Sequence, residues 1–170
     1  NSSIEGHFAM AQRHSNSHVT PHSTYSVQDA PFRDICLKNR EFMSLHFLES
    51  KGEAELFSHR GALAQWYKRM GWQCDFLRYG TPTERVTQCV SSDTRLLLVH
   101  ATEATKADIE QIESHTAKAT WVLCPESNRY ISNACPPVEL LRDAGARIAI
   151  GSDSLASART LSIVDNLKLI

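Results

Sequence analysis

The sequence predicts an α/β fold with a parallel sheet. Apolar runs at 95–100, 120–124 and 147–151 have the length and continuity of buried strands. Helical patterns separate them, and the connections are short, which implies successive βα units.

Residues 1–18 form an irregular N-terminal segment of Asn, Ser and Gly punctuated by His7, His14 and His18. Without periodicity, it reads as solvated loop rather than a metal-binding frame. A single domain is expected from 19 to 170. In it, Phe32, Ile35 and Cys36 share a helical face, with Pro31 tolerable only in a first turn. Phe42 to Leu48 is a short buried strand. One helix is expected from about Gly52 to Arg69, its apolar face made by Ala54, Phe57, Leu63 and Trp66, with Gly71 at its stop. The stretch from Gly71 to Thr94 carries little pattern beyond a short helix opened by Pro82. The run from Arg95 to His100 is a strand covered on both faces, and Thr105 to Asp108 is a capping box. Thr120 to Cys124 is the next strand. Pro136 and Pro137 open a helix that Gly145 closes. Arg147 to Gly151 is another buried strand, and a last helix begins near Leu161.

Composition narrows the function. The 170 residues carry a net charge of −1 and scattered basic side chains, so no global field points to nucleic acid or membrane. No stretch approaches the roughly 18 apolar residues of a membrane span. The 5 cysteines are widely spaced and form no CxxC pair, which fits reduced thiols of a cytoplasmic protein better than a disulfide framework or a thiolate zinc site. No GxGxxG or GxxxxGK[ST] is present, which weakens a nucleotide-binding open sheet. Periodicity alone leaves barrel and open sheet both standing.

The ends of the strands are more informative. His46 closes the first clear strand, His100 the second, and Asp153 follows the last, while Pro21 to Tyr25 precedes them with His22. One histidine after a strand is commonly structural, and an Asp after Gly-Ser is commonly a turn residue. Repetition at several carboxyl ends is different, because parallel α/β folds build their sites there. Imidazole and carboxylate suit a borderline divalent ion, and such an ion brings the pKa of a bound water to about 7. Metal-assisted hydrolysis is the chemistry these residues fit.

The motifs PHSTYS at 21–26, LHFLES at 45–50, LLLVHAT at 96–102, CPESNRYI at 124–131 and GSDSLAS at 151–157 occur in one order and spacing. Together they resemble the amidohydrolase superfamily, in its aminohydrolase and chlorohydrolase branch. The resemblance implies strands four to eight of a metal-dependent (β/α)8 barrel, incomplete in this chain. It implies that His46 and Asp153 are metal ligands, with Asp153 also taking a proton from the attacking water. Glu49 would be the general acid/base, and His100 would bond the water or the substrate. His22, Ser127, Asn128 and Arg129 would contact the substrate or shape its pocket. The ion would be zinc, or iron with the same ligands. The substrate would be a small aminated purine, pyrimidine or triazine-like ring.

Two departures stand out. Thr24 occupies a position where the family usually has Pro, which reads as a loop adjustment. The first-strand HxH ligand pair is missing, since no HxH occurs in the sequence. A complete barrel needs about 250 residues, so the chain reads as part of a longer enzyme, itself weak in zinc binding and activity. Its exposed edges lead to an expected homo-oligomer. Chloride displacement from a similar ring and a catalytically silent barrel module are the competing functions.

Overall fold

The computed structural model describes residues 2–170. Its sheet contains β1 (Phe42–Phe47), β2 (Arg95–His100), β3 (Ala119–Leu123) and β4 (Ile148–Ile150), all parallel and in the order β1-β2-β3-β4. Parallel neighbours require crossovers, and the helices supply them. After β1 come α3 (Lys51–Phe57), α4 (Gly61–Arg69), a 3-10 turn (Asp75–Tyr79) and α5 (Pro82–Cys89). α6 (Lys106–His115) joins β2 to β3, while α7 (Pro125–Ser132) and α8 (Val138–Asp143) join β3 to β4. α1 (Ser2–Ala11) and α2 (Asp29–Lys38) precede the sheet, and α9 (Ile163–Leu167) follows it.

The sheet is covered unevenly. Met43, Leu45 and Phe47 of β1, Leu96 and Leu98 of β2, and Ala119, Trp121 and Leu123 of β3 share one buried cluster with Phe32, Val86, Ile109, Ile112 and Leu141 from the helices. The alternate positions Ser44, His46, Leu97, Val99, Thr120 and Val122 remain partly exposed. Thus the expectation of a β2 covered on both faces holds for the helix side only. β4 is partly exposed throughout rather than buried, because it lies at the end of the strand order. A smaller cluster of Leu56, Phe57, Tyr67, Phe76 and Tyr79 holds the long β1-to-β2 connection together.

Other expectations shift for local reasons. Residues 2–11 are helical rather than irregular: Ile4 and Phe8, one turn apart, rest against the main core, and the intervening polar residues concealed that spacing. The single helix expected from Gly52 to Arg69 is broken at residues 58–60. His59 has φ 56° and Gly61 φ 79°, left-handed values that interrupt a right-handed helix. Of the five strands expected, the described residues form four. The remaining position survives as one parallel bridge, Ser23 to His46, since Pro21 removes a donor just before it. The capping box on α6 is formed as read, with Thr105 and Asp108 exchanging bonds. All 5 cysteines are free.

Candidate active site

The site lies at the carboxyl ends of β1, β2 and β4. His46 and His100 reach it from neighbouring strands, their rings 4.5 Å apart in an edge-to-face arrangement. His46 Nδ1 is 3.3 Å from Glu49 Oε2 and 3.2 Å from His100 Nε2, and Glu49 Oε1 is 3.4 Å from His100 Nε2. The ligand-capable atoms of His46, Glu49 and His100 all lie within 4.8 Å of one another, a group that could hold a metal ion. The His22 ring lies 4.2 Å from that of His46 and is tilted 40° to it, and the His22 carbonyl accepts the His46 backbone N–H at 2.8 Å.

Hydrogen bonds fix the tautomers. The Asn128 amide Nδ2 donates to the His100 carbonyl at 3.3 Å, so its Oδ1, 2.8 Å from His100 Nδ1, accepts from that nitrogen. A neutral His100 then carries its lone pair on Nε2, toward His46. His46 Nδ1–H in turn donates toward Glu49 and His100, which leaves His46 Nε2 as the nitrogen with a free lone pair. Burial lowers the His100 pKa and so favours this neutral form, although the nearby Glu49 charge pulls the other way. For Glu49, the hydrogen bond from His46 outweighs burial and holds the carboxyl below its ordinary range.

Asp153 stands beside this group but not within it. Burial disfavours its charge, yet hydroxyls of Ser127 and Ser157 on Oδ2, helped by His100, keep its pKa low. The Ser157 bond is 2.9 Å long. Gly151, before Asp153, packs closely on the neighbouring strand end: a Cβ there would meet Cys124 Sγ at 3.0 Å. Cys124 itself is pushed up to about 12 by burial and is a neutral thiol at pH 7. The backbone is strained at the same strand ends, with left-handed φ at Leu48 (46°), His100 (79°), Ala101 (53°) and Asp153 (58°).

The structure thus brings His22, His46, Glu49 and His100 together, with Asn128 directly behind and Ser127 and Asp153 alongside. Arg129 is the exception. It is exposed and lines an open groove of about 740 Å³ with Tyr130, Leu155 and Arg159, whose wall also includes Ser157.

Sequence reasoning missed four contributors. Glu53 is fully buried and accepts from the Thr24 hydroxyl and, at 3.3 Å, from the Glu49 amide. Burial pushes it up to about 7 against the pull of those bonds. Thr24 is therefore more than a loop adjustment: it too is fully buried and its hydroxyl has a defined acceptor. Arg85, wholly buried between the rings of Phe32 and Phe76, donates to the carbonyls of Thr24, Val27 and Gln28. Ser157 belongs to the GSDSLAS run, so its signal was present in a motif already recognised.

Comparison with known proteins places the chain in a family. The sequence model of the amidohydrolase family matches residues 4–170. The chain belongs to the amidohydrolase family. Among its relatives, an adenosine deaminase of Helicobacter pylori is 28% identical over 156 residues, covering 86% of this chain and 37% of the relative. An aminodeoxyfutalosine deaminase of Nitratiruptor is 29% identical, covering 95% of this chain and 40% of the relative. The crystal structure of Helicobacter pylori aminofutalosine deaminase with methylthio-coformycin superposes with a TM-score of 0.83 at 26% identity, over 99% of this chain and 43% of that one. A triazine hydrolase variant matches at TM-score 0.70 and 14% identity, a likeness of fold. This amidohydrolase chain therefore spans less than half the length of the relatives it matches.

Proposed function

We propose that this chain carries the later strands of an amidohydrolase barrel and belongs to an enzyme that removes an amino group from an aminated, purine-like heterocycle by hydrolysis. The observation that carries the reading is the convergence of His46, Glu49 and His100 at adjoining strand ends, with Asp153 next to them. The identified relatives above 25% identity are deaminases, which favours ammonia over chloride as the leaving group.

The donor set fits a divalent ion. His46 Nε2 is left with a free lone pair, and Asp153 is held as a carboxylate by two hydroxyls. Neutral imidazole and carboxylate oxygen suit zinc or iron. When bound, the ion supplies a Lewis acid that makes water acidic enough to attack at neutral pH. The chain's own residues do the rest. His46 and Asp153, at two strand ends, would hold the ion. Asp153 accepts a proton from the attacking water, and its Ser127 and Ser157 bonds aim the oxygen that does so. Glu49, a carboxylate at rest and oriented by His46, takes one proton from the attacking water and hands it to the ring nitrogen, while the proton taken by Asp153 leaves with the amine as ammonia. His100, fixed by Asn128, presents Nε2 as an acceptor to hold the water in line. His22 closes one side and packs against the substrate ring.

Ammonia release tests the reading. The protein containing this chain is incubated with aminated purines, pyrimidines and triazines, and ammonia is measured. Loss of at least about a thousand-fold is expected in His46→Ala and in Asp153→Ala, with bound metal lost in parallel. Unchanged turnover in both variants would refute the assignment.

A further inference from the structure

Glu53 stands at the third position of α3 behind Ser50, the spacing of a capping box, in which the acid reaches back to the Ser50 amide. Here it reaches elsewhere. Its Oε2 accepts the amide of Glu49 at 3.3 Å, and its Oε1 accepts the hydroxyl of Thr24. The Ser50 side chain makes no capping bond. The acid, freed from its usual task, lies completely buried beneath the site.

Its two partners belong to two different pieces of the site. Thr24 lies two residues beyond His22, and its carbonyl is gripped from the opposite side by Arg85. Glu49 carries the carboxylate that meets His46 and His100. The Glu49 peptide is held at both ends by side chains, since its carbonyl accepts the hydroxyl of Ser132 at 2.9 Å. One carboxylate thus spans the gap between the His22 segment and the acid/base.

We propose that Glu53 is a positioning residue, and that its bond to Thr24 sets the placement of Glu49 and His22 around His46. The proposal rests on the hydrolase reading for its catalytic consequence, but its structural content is independent of turnover. The bridge depends on the hydroxyl of Thr24, which is wholly buried and has the Glu53 carboxylate as its acceptor.

The test uses Thr24→Val, Thr24→Ser and Glu53→Gln in the full chain. Thermal unfolding first identifies the folded variants. Long-range ¹H–¹⁵N spectra then follow the ring nitrogens of His22 and His46, a readout that needs no activity. Thr24→Val keeps the shape and removes the donor, so both rings should shift, while Thr24→Ser should return them to wild-type positions. Glu53→Gln presents an NH2 to one of two donors and should shift them as well. In the hydrolysis assay, kcat of Thr24→Val should fall about ten- to a hundred-fold with KM nearly unchanged, as expected for misplaced reacting groups. Wild-type ring signals in Thr24→Val and Glu53→Gln would overturn the proposal, as would a folded Thr24→Ser that behaves like Thr24→Val. A wild-type protein that releases no ammonia overturns the hydrolase reading instead, and the ring signals still decide this one.

Discussion

A carboxyl group sealed from water prefers to keep its proton, and Glu53 is such a group. Its pKa is about 7 against an ordinary 4.5, chiefly because burial penalises the charge. The sign of the pH effect follows. Between those two values the folded chain holds a proton that the unfolded chain releases, so stability falls as pH rises through the window. Glu53→Gln removes this slope. Denaturation midpoints measured from pH 5 to 8 should show the variant gaining on the wild type by about 3 kcal/mol across the window. A difference independent of pH would exclude a buried, protonated Glu53. The same residue marks a limit of sequence reading. His46, His100 and Asp153 were legible because each follows an apolar strand. Glu53 sits in a short helix among Lys51, Gly52 and Glu55, where an acid looks solvated, and only the packing of Thr24 over it reveals otherwise.

At the scale of the element, helix ends and breaks decide where the strand ends point. α6 is anchored by reciprocal bonds between Thr105 and Asp108, and Asp108 also accepts from Thr83 of α5. Thr105→Ala leaves an N-terminal amide without its acceptor and should cost about 1 kcal/mol, read as a lowered thermal midpoint. A loss several-fold larger would mean that Thr105 bears on more than its own helix. Such signals are readable because cap chemistry is local. β2, β3 and α8 were legible for the same reason, each bounded by its own Pro, Gly or Thr. The break between α3 and α4 was not. It depends on left-handed backbone at His59 and Gly61, and on Glu55 occupying the space a Cβ at Gly61 would need. Likewise, α1 is helical through Ile4 and Phe8 meeting a core that no local pattern announces.

Across the whole molecule, the helices cover one face of the sheet while the other stays partly exposed, and β4 has one paired edge among the described residues. Exposed Leu155, Leu161, Val164 and Leu167 extend the apolar surface near that edge. An uncovered sheet with a free edge favours association. Sedimentation of the 170-residue chain is therefore expected to show concentration-dependent self-association, and a monomer at every concentration would count against it. Barrel or open sheet could not be chosen from periodicity, because both present the same apolar runs. The order of the polar residues at the strand ends is what favours the barrel proposed above. Those strand ends also hold most of the left-handed backbone found outside glycine: Leu48, His100, Ala101 and Asp153, against His59 and Asn133 elsewhere among the described residues. Each such position costs roughly 1–2 kcal/mol that glycine would avoid. Glycine would relieve the torsion but would delete the side chains themselves, among them the buried Leu48 and His100, so the strain is retained together with the groups it aims. The tension between endurance and chemistry in this protein is concentrated in a few backbone torsions.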